Sequence, residues 1–299
     1  MQRRYRIYDV FTEKALAGNQ LAVVLDTEGL AQDAMQAIAR EFNLSETVFV
    51  EPADNPAHSA KIRIFTPACE LPFAGHPTVG AAVCLAAERF GEPEGEQDAV
   101  VVLEEAIGPV RCGVRLFDHS GFAEFDCPKL PAEIGPAPSS DAIAAACGLT
   151  SGELLFENHR PSVWSAGVPY YFIPVQNRAA LAAVEAIAPA WEATFKKDGV
   201  FLYCRDPEGH DHQFRARMLA PTAGIAEDPA TGSAAAAFAG PVLKFDQPTE
   251  GDHAILIEQG YEMGRPSIIR LEITVSRASL ANVRIGGGAV RVMEGMLSA

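Results

Sequence analysis

Pro67-Ala68-Cys69-Glu70-Leu71-Pro72-Phe73-Ala74-Gly75-His76-Pro77-Thr78-Val79-Gly80 is the stretch from which the rest of the chain is best read. A strand-like run, Lys61 to Phe65, leads into it, and the small-residue run Ala81 to Ala87 leads out. Proline near a first helical turn, with Ala and Leu beyond it, predicts a helix that starts close to Gly75. A helix start leaves about four backbone N–H groups without intrahelical partners, together with a partial positive charge, and so suits a carboxylate or an oxyanion. Gly75 lets a ligand approach that backbone closely.

The element has a twin. His58 is followed at +3 by Lys61, at +5 by Arg63 and at +9 by Pro67; His212 is followed at the same spacings by Arg215, Arg217 and Pro221. The two histidines are 154 residues apart, about half the chain. After Pro221 come Gly224-Ile225-Ala226-Glu227-Asp228-Pro229-Ala230-Thr231-Gly232-Ser233 and then Ala234 to Ala237, again turn, glycine and small-residue helix. Two strand–turn–helix units at this separation predict two similar halves. A chance match between two short units is the plainer alternative.

Bulk properties fit a two-half enzyme. The 299 residues suffice for two domains with a large core. A net charge of −15 argues against a nucleic-acid or anionic-membrane surface. It leaves room for a small anionic substrate, because exposed charges beyond a Debye length of ~8 Å are largely screened and local amides decide. The six cysteines form no C-x-x-C pair, so reduced, mostly buried thiols and a cytoplasmic location are expected. Tyr5 to Asp9 stands where a signal peptide needs an apolar run, and no stretch is apolar for long enough to span a bilayer.

In chain order, strands are expected at Tyr5 to Phe11 and Leu21 to Leu25, an amphipathic helix at Leu30 to Phe42 ending at Asn43, and a strand from Asn43 to Val50. Glu46 lies at the mouth of that strand. From the residues alone it reads first as a solvated strand-end residue; pointed inward among apolar neighbours, it would be a carboxyl whose pKa is raised towards neutrality. Beyond the Gly75 helix come a β-meander from Val100 to Phe125 and a Pro-rich crossover over Pro128 to Pro138. Ser139 is placed to cap a helix over Ala142 to Ala146 that Gly148 ends. Strands follow at Val163 to Val175 and Val200 to Cys204, helices at Arg178 to Ile187 and Pro189 to Lys197, and later strands at Ala254 to Glu258, Ile268 to Val275 and Val283 to Val292.

Four motifs, in order, carry a resemblance over nearly the whole chain: Asn43-Leu44-Ser45-Glu46-Thr47, Glu70 to Thr78, Ala226 to Ala234 and Gly264-Arg265-Pro266-Ser267. Together they resemble the PhzF-like (phenazine biosynthesis) isomerases. The resemblance implies the α+β diaminopimelate-epimerase-like fold: two pseudo-symmetric halves, each a curled β-sheet around a central helix, with the active site in the cleft between them. It assigns residues 1–118 to the first half and 119–299 to the second, whose last strand can return to the first. It implies Glu46 as the catalytic acid/base that moves a proton within a conjugated substrate, with Gly75, His76, Asp228, Gly232 and Ser233 as substrate contacts. The name-giving substrate of the family is trans-2,3-dihydro-3-hydroxyanthranilate. No cofactor and no metal are implied; the expected partners are a small anionic metabolite and a second copy of the chain, in a homodimer.

Related amino-acid epimerases carry a thiol on each side of the site, at positions that align with Ala74 and Ala230. Alanine cannot carry a proton, so two-base inversion of an α-carbon is not expected. Cys69, five residues before Ala74, reads as a buried, inert thiol. His58 and His212 read as strand-edge residues, His210-Asp211-His212 as a solvated turn, and Arg265 as an anion contact or a loop ion pair. Gly286-Gly287-Gly288 is followed by strand-like Ala289 to Val292, where a dinucleotide fingerprint needs a helix. The alternatives are another proton-transfer enzyme on the same cleft, a lyase or an epimerase, and a non-catalytic metabolite-binding protein.

Overall fold

The computed structural model describes residues 1–91 and 93–299, and the chain divides into two compact units. The first takes Met1–Asp126 with Gly286–Ala299; the second takes Cys127–Ile285.

The first unit runs β1 (Gln2–Val10), β2 (Asn19–Val24), α1 (Gln32–Phe42), β3 (Glu46–Glu51), β4 (Ala60–Phe65), β5 (Glu70–Leu71), α2 (Gly75–Phe90), β6 (Gln97–Glu105), β7 (Gly108–Leu116) and β8 (Ser120–Asp126). Its strands curl around α2, which packs on β1, β2, β3, β6, β7 and β8. Ten consecutive residues, Gly75 to Cys84, are buried, so this helix has no solvent face in its first turns and is built from small residues accordingly. Gly80 shows how closely it packs: a Cβ there would meet Leu21 Cδ2 at 2.5 Å and Val10 Cγ2 at 2.8 Å. The amphipathic α1 covers the sheet from outside, seating Met35, Ile38 and Ala39 on Val24, Phe49 and Phe65. Asn43 ends it in the left-handed conformation, its N–H on Ala39 O.

The second unit runs β9 (Ala132–Gly135), α3 (Ser140–Cys147), β10 (Ser162–Ser165), β11 (Pro169–Pro174), α4 (Arg178–Ala182), α5 (Ala188–Phe195), β12 (Gly199–Cys204), β13 (Phe214–Ala220), β14 (Ile225–Asp228), α6 (Gly232–Pro241), β15 (Gly251–Gln259) and β16 (Ser267–Ser276). Strand β17 (Ser279–Ser298) begins in this unit and continues into the first, where it pairs with β1. The central helix here is α6, buried except for Ser233 over Gly232 to Pro241, with Phe238 inside a ring of Phe172, Phe201, Tyr203 and Phe214.

The two units repeat one pairing scheme. In the first, β1–β2 is antiparallel, β2–β3 parallel, β3–β4 antiparallel, β4–β6 parallel and β6–β7 antiparallel. In the second, β10–β11, β11–β12, β12–β13, β13–β15 and β15–β16 follow in the same order of senses. Even the register repeats, Lys61 opposite Glu104 and Arg215 opposite Glu258. The spacing match seen in the sequence thus corresponds to two copies of one topology.

Two expectations change. Pro128 to Pro138 is not all crossover: it holds β9, which pairs with β10, because Pro131 and Pro136 flank the strand without entering it. The helix expected over Arg178 to Ile187 stops at Ala182, where Arg217 Nη1 takes the carbonyls of Leu181 (2.9 Å) and Val184 (3.1 Å). Ser139, by contrast, caps α3 through Ala142 N as expected, and Gly148 ends it at φ 67°.

Candidate active site

In the first unit the αL turn at Asn43 releases the chain into β3, whose first residue, Glu46, stands in register with Leu21. Thr47, Val48 and Phe49 beyond it are buried, and the Glu46 side chain is 15% exposed. Strand β4 and the two-residue β5 are locked by Arg63, which donates to both carboxylate oxygens of Glu70 at 2.7 Å. That hairpin sets the approach of Pro72-Phe73-Ala74 to α2, whose N-cap, Ala74, offers no side-chain cap.

His76, on the first turn of α2, is buried; its Nε2 lies 3.2 Å from Glu46 Oε2 and its Nδ1 3.3 Å from Asn19 Nδ2. Burial pushes the imidazole pKa down to about 3, with a hydrogen bond to the Gln20 backbone carbonyl working against it, so the ring is neutral at physiological pH. Nδ1 faces the Asn19 amide and Nε2 faces Glu46 Oε2, so the ring lies between Asn19 and the carboxyl whichever tautomer it adopts. A neutral ring beside the carboxyl brings no full positive charge to hold it ionised. That is what a group needs if it must both take and return a proton.

In the second unit the start of α6 is arranged differently. Asp228 Oδ2 accepts from Thr231 Oγ1 at 2.5 Å. Gln259 Nε2 donates to Asp228 O at 2.8 Å and Thr231 Oγ1 at 3.0 Å, while its Oε1 accepts from Thr231 N at 3.2 Å. Gly232 opens the helix without a side-chain cap, and Ser233 Oγ pairs with Tyr170 OH at 2.7 Å. Tyr170 is a buried residue of β11 that the sequence did not single out. Strand pairing explains it. Thr47 stands opposite Phe65, and Val200 opposite Leu219, the repeat of Phe65; Glu46 therefore corresponds to Gly199. A Cβ on Gly199 would lie 2.8 Å from the Tyr170 ring, so Tyr170 occupies the space of the missing side chain.

Structure thus groups Glu46, Gly75 and His76 in the first unit, and Asp228, Gly232 and Ser233 in the second. Ala74 and Ala230 stand just before the two helix starts. Cys69 is exposed, contrary to the expectation of a buried thiol, because its turn folds outward around Thr66, whose Oγ1 accepts from Ala68 N and Cys69 N. His58 and His212 are not loose edge residues: each lies at Nδ1 within 2.8 Å of a carboxylate, Glu104 and Glu258, that also accepts two loop amides.

Two other features of the second unit are set apart from this chemistry. A broad hollow of about 600 Å³ is lined by Arg178, Arg205, His210 and His212, but both arginines are already engaged with carboxylates. Glu157, His159 and Asp246 bring potential metal-ligand atoms together, yet the Arg205 guanidinium donates to Asp246 Oδ1 and lies 3.3 Å from His159 Nε2, filling the place of a cation.

The sequence profile of the phenazine biosynthesis-like protein family matches residues 8–295. The chain belongs to the PhzF family of isomerases. An uncharacterized isomerase of Mesorhizobium japonicum is 55% identical, over 99% of this chain and 98% of its own length. The trans-2,3-dihydro-3-hydroxyanthranilate isomerase of Pseudomonas aeruginosa is 33% identical over 98% of each chain. Among solved structures, a PhzF-family protein of Bacillus anthracis covers 100% of both chains with a TM-score of 0.89 at 23% identity. A hydroxyproline epimerase of Agrobacterium vitis covers 99% of this chain and 92% of its own, with a TM-score of 0.59 at 13% identity, a likeness of fold alone. The α+β, epimerase-like fold implied by the motifs is the fold of this family member. Among the described residues, no helix is long and apolar enough to cross a membrane.

Proposed function

We propose that this protein is a cofactor-independent isomerase that moves a proton within a small unsaturated carboxylate, of the trans-2,3-dihydro-3-hydroxyanthranilate type, with Glu46 as the single acid/base. The observation that carries the reading is the Glu46–His76 pair: a part-buried carboxylate 3.2 Å from a neutral imidazole at the start of a buried helix. The carboxylate removes a proton from one carbon, the electron pair shifts through the conjugated system, and the protonated carboxyl returns the proton at another carbon. General acid/base catalysis of this kind is worth ~10²–10⁴-fold. Gly75 and His76 are substrate contacts in this reading, as are Asp228, Gly232 and Ser233; the α6 start, whose first-turn N–H groups have no intrahelical acceptor, suits the substrate carboxylate. Gly199, in the place that repeats Glu46, supports one base instead of two. The family resemblance adds a homodimer and a cytoplasmic location, the former open to light scattering.

The test is incubation with trans-2,3-dihydro-3-hydroxyanthranilate in D2O, followed by NMR, with Glu46→Gln as control. Turnover with deuterium entering at one ring carbon, lost in the variant, is the expected result. Exchange at an α-carbon with inversion, or elimination, would move the assignment to an epimerase or lyase. Binding without proton exchange in either protein would leave a metabolite-binding protein.

A further inference from the structure

Thr78 Oγ1 lies 2.8 Å from Ala74 O and 2.7 Å from Glu105 Oε1. A hydroxyl carries one proton and donates once. One proton shared between two oxygens this close leaves one of them poorly satisfied, and the Ala74 carbonyl has none to give. A second proton has one available source, the carboxyl of Glu105.

The surroundings of Glu105 agree. It is the last residue of β6, 8% exposed, and its Oε2 has no hydrogen-bond partner among the described residues. Among the described residues no cation pairs with it, and an ionised carboxylate buried in that way is the arrangement that costs most. Burial raises its pKa to about 8, with the Thr78 hydroxyl working the other way. Cys112 of β7 is the titratable side chain that feels Glu105. From β4, Lys61 turns away to Asp54 at 2.9 Å, and the adjacent Glu104 is tied to His58. From α2 the facing polar group is Thr78 itself.

The second unit supplies an independent comparison. Ladder register equates Glu104 with Glu258, and so Glu105 with Gln259. Gln259 braces the start of α6 through Thr231 and Asp228. An amide is the uncharged counterpart of a protonated carboxyl, with a donor on one arm and an acceptor on the other. The fold therefore places a polar side chain under the start of each central helix, and in the second unit it is an uncharged donor.

We infer that Glu105 is held as a neutral carboxylic acid in the folded protein and, through Thr78, positions the first turn of α2 that carries Gly75 and His76. Its O–H donates to Thr78 Oγ1, whose own O–H donates to Ala74 O. Glu105 is a positioning residue. The inference rests on hydrogen-bond counting and holds whatever the substrate; only its bearing on turnover depends on the isomerase reading.

The test compares wild type, Glu105→Gln and Glu105→Leu by urea unfolding across pH, and by 15N NMR of the His76 ring. A carboxyl raised from 4.5 to about 8 on folding keeps its full stability below 4.5 and loses it as pH rises through that window. The urea midpoint of Glu105→Gln should therefore climb relative to wild type across the window and level off above it. The His76 ring signals should match wild type in the Gln variant and move in the Leu variant. Equal pH profiles for wild type and Gln, or His76 signals displaced by Gln as much as by Leu, would overturn the inference. Should the variants not fold, 13C-carboxyl NMR of wild type labelled at glutamate decides: one carboxyl must titrate near 8, and its absence refutes the idea.

Discussion

Nε2 of His76 stands 3.2 Å from Oε2 of Glu46, and the imidazole brings no charge to that contact. Had it been an ion pair, the carboxylate would be stabilised in one protonation state. A neutral ring leaves both states accessible.

The His76 ring nitrogens are accordingly expected to keep their 15N shifts from pH 8 down to pH 5, with protonation near 3. The folded-state pKa lies below the unfolded value of 6.5, so the unfolded chain takes up the proton first on acidification. Stability should fall as pH drops from 6.5 towards 3, by about 1.4 kcal/mol per pH unit for the one proton. His76→Asn should remove that slope, as read from urea midpoints at pH 6.5 and 4.5. A normal ring titration near 6.5 would refute the neutral contact.

Glu46→Gln keeps size and hydrogen-bonding capacity while removing the base. A loss of ~10²–10⁴ in kcat, with little change in Tm, is expected from steady-state kinetics and calorimetry. Retained turnover would take the acid/base role away from Glu46.

Gly199→Ala drives a methyl group against the Tyr170 ring. The ring must move, and with it the hydroxyl 2.7 Å from Ser233. If that hydroxyl aims Ser233 at the substrate, Gly199→Ala and Tyr170→Phe should raise KM by similar factors, and the double variant should be no worse than either. Additive effects in that cycle would show the two positions acting separately.

The repeated arginine–carboxylate locks should differ in strength. Arg217 is 8% exposed, donates to both oxygens of Glu227 and also holds two carbonyls after α4. Arg217→Met strands all of these and should cost about 3–5 kcal/mol in urea unfolding. Arg63 and Glu70 have side chains 23% and 31% exposed, and Arg63→Met should cost nearer 1 kcal/mol. Equal losses would mean that burial is not what sets the difference.

Much of this was readable in the chain because it is local. His58 and His212 with their matched followers announced the repeat, and Gly75 and Gly232 marked the helix starts that the structure shows. Asn43 and Gly148 ended helices where left-handed residues should. What stayed hidden depends on pairing across strands. Tyr170 acquires its place from Gly199, its parallel-strand neighbour. Glu105 acquires its place only when β6 lies beside β4 and Thr78 of α2 comes within 2.7 Å. Strand β9 stayed hidden because proline-rich composition is read as loop, and only the partner strand reveals that Ala132, Glu133 and Gly135, between the prolines, pair.

Strand β17 has a consequence for the order in which the protein is made. Residues Ala289 to Ser298 complete β1 along one edge, while β2 covers the other. Everything from β9 to β16 lies between these partners in the chain, and the second unit is itself contiguous. At ribosomal speeds of about 5–20 residues per second, β1 waits roughly fifteen to sixty seconds for its second neighbour. Glu46 and His76 therefore leave the ribosome early, on a nascent sheet with an open edge that is vulnerable to wrong pairing until β17 arrives.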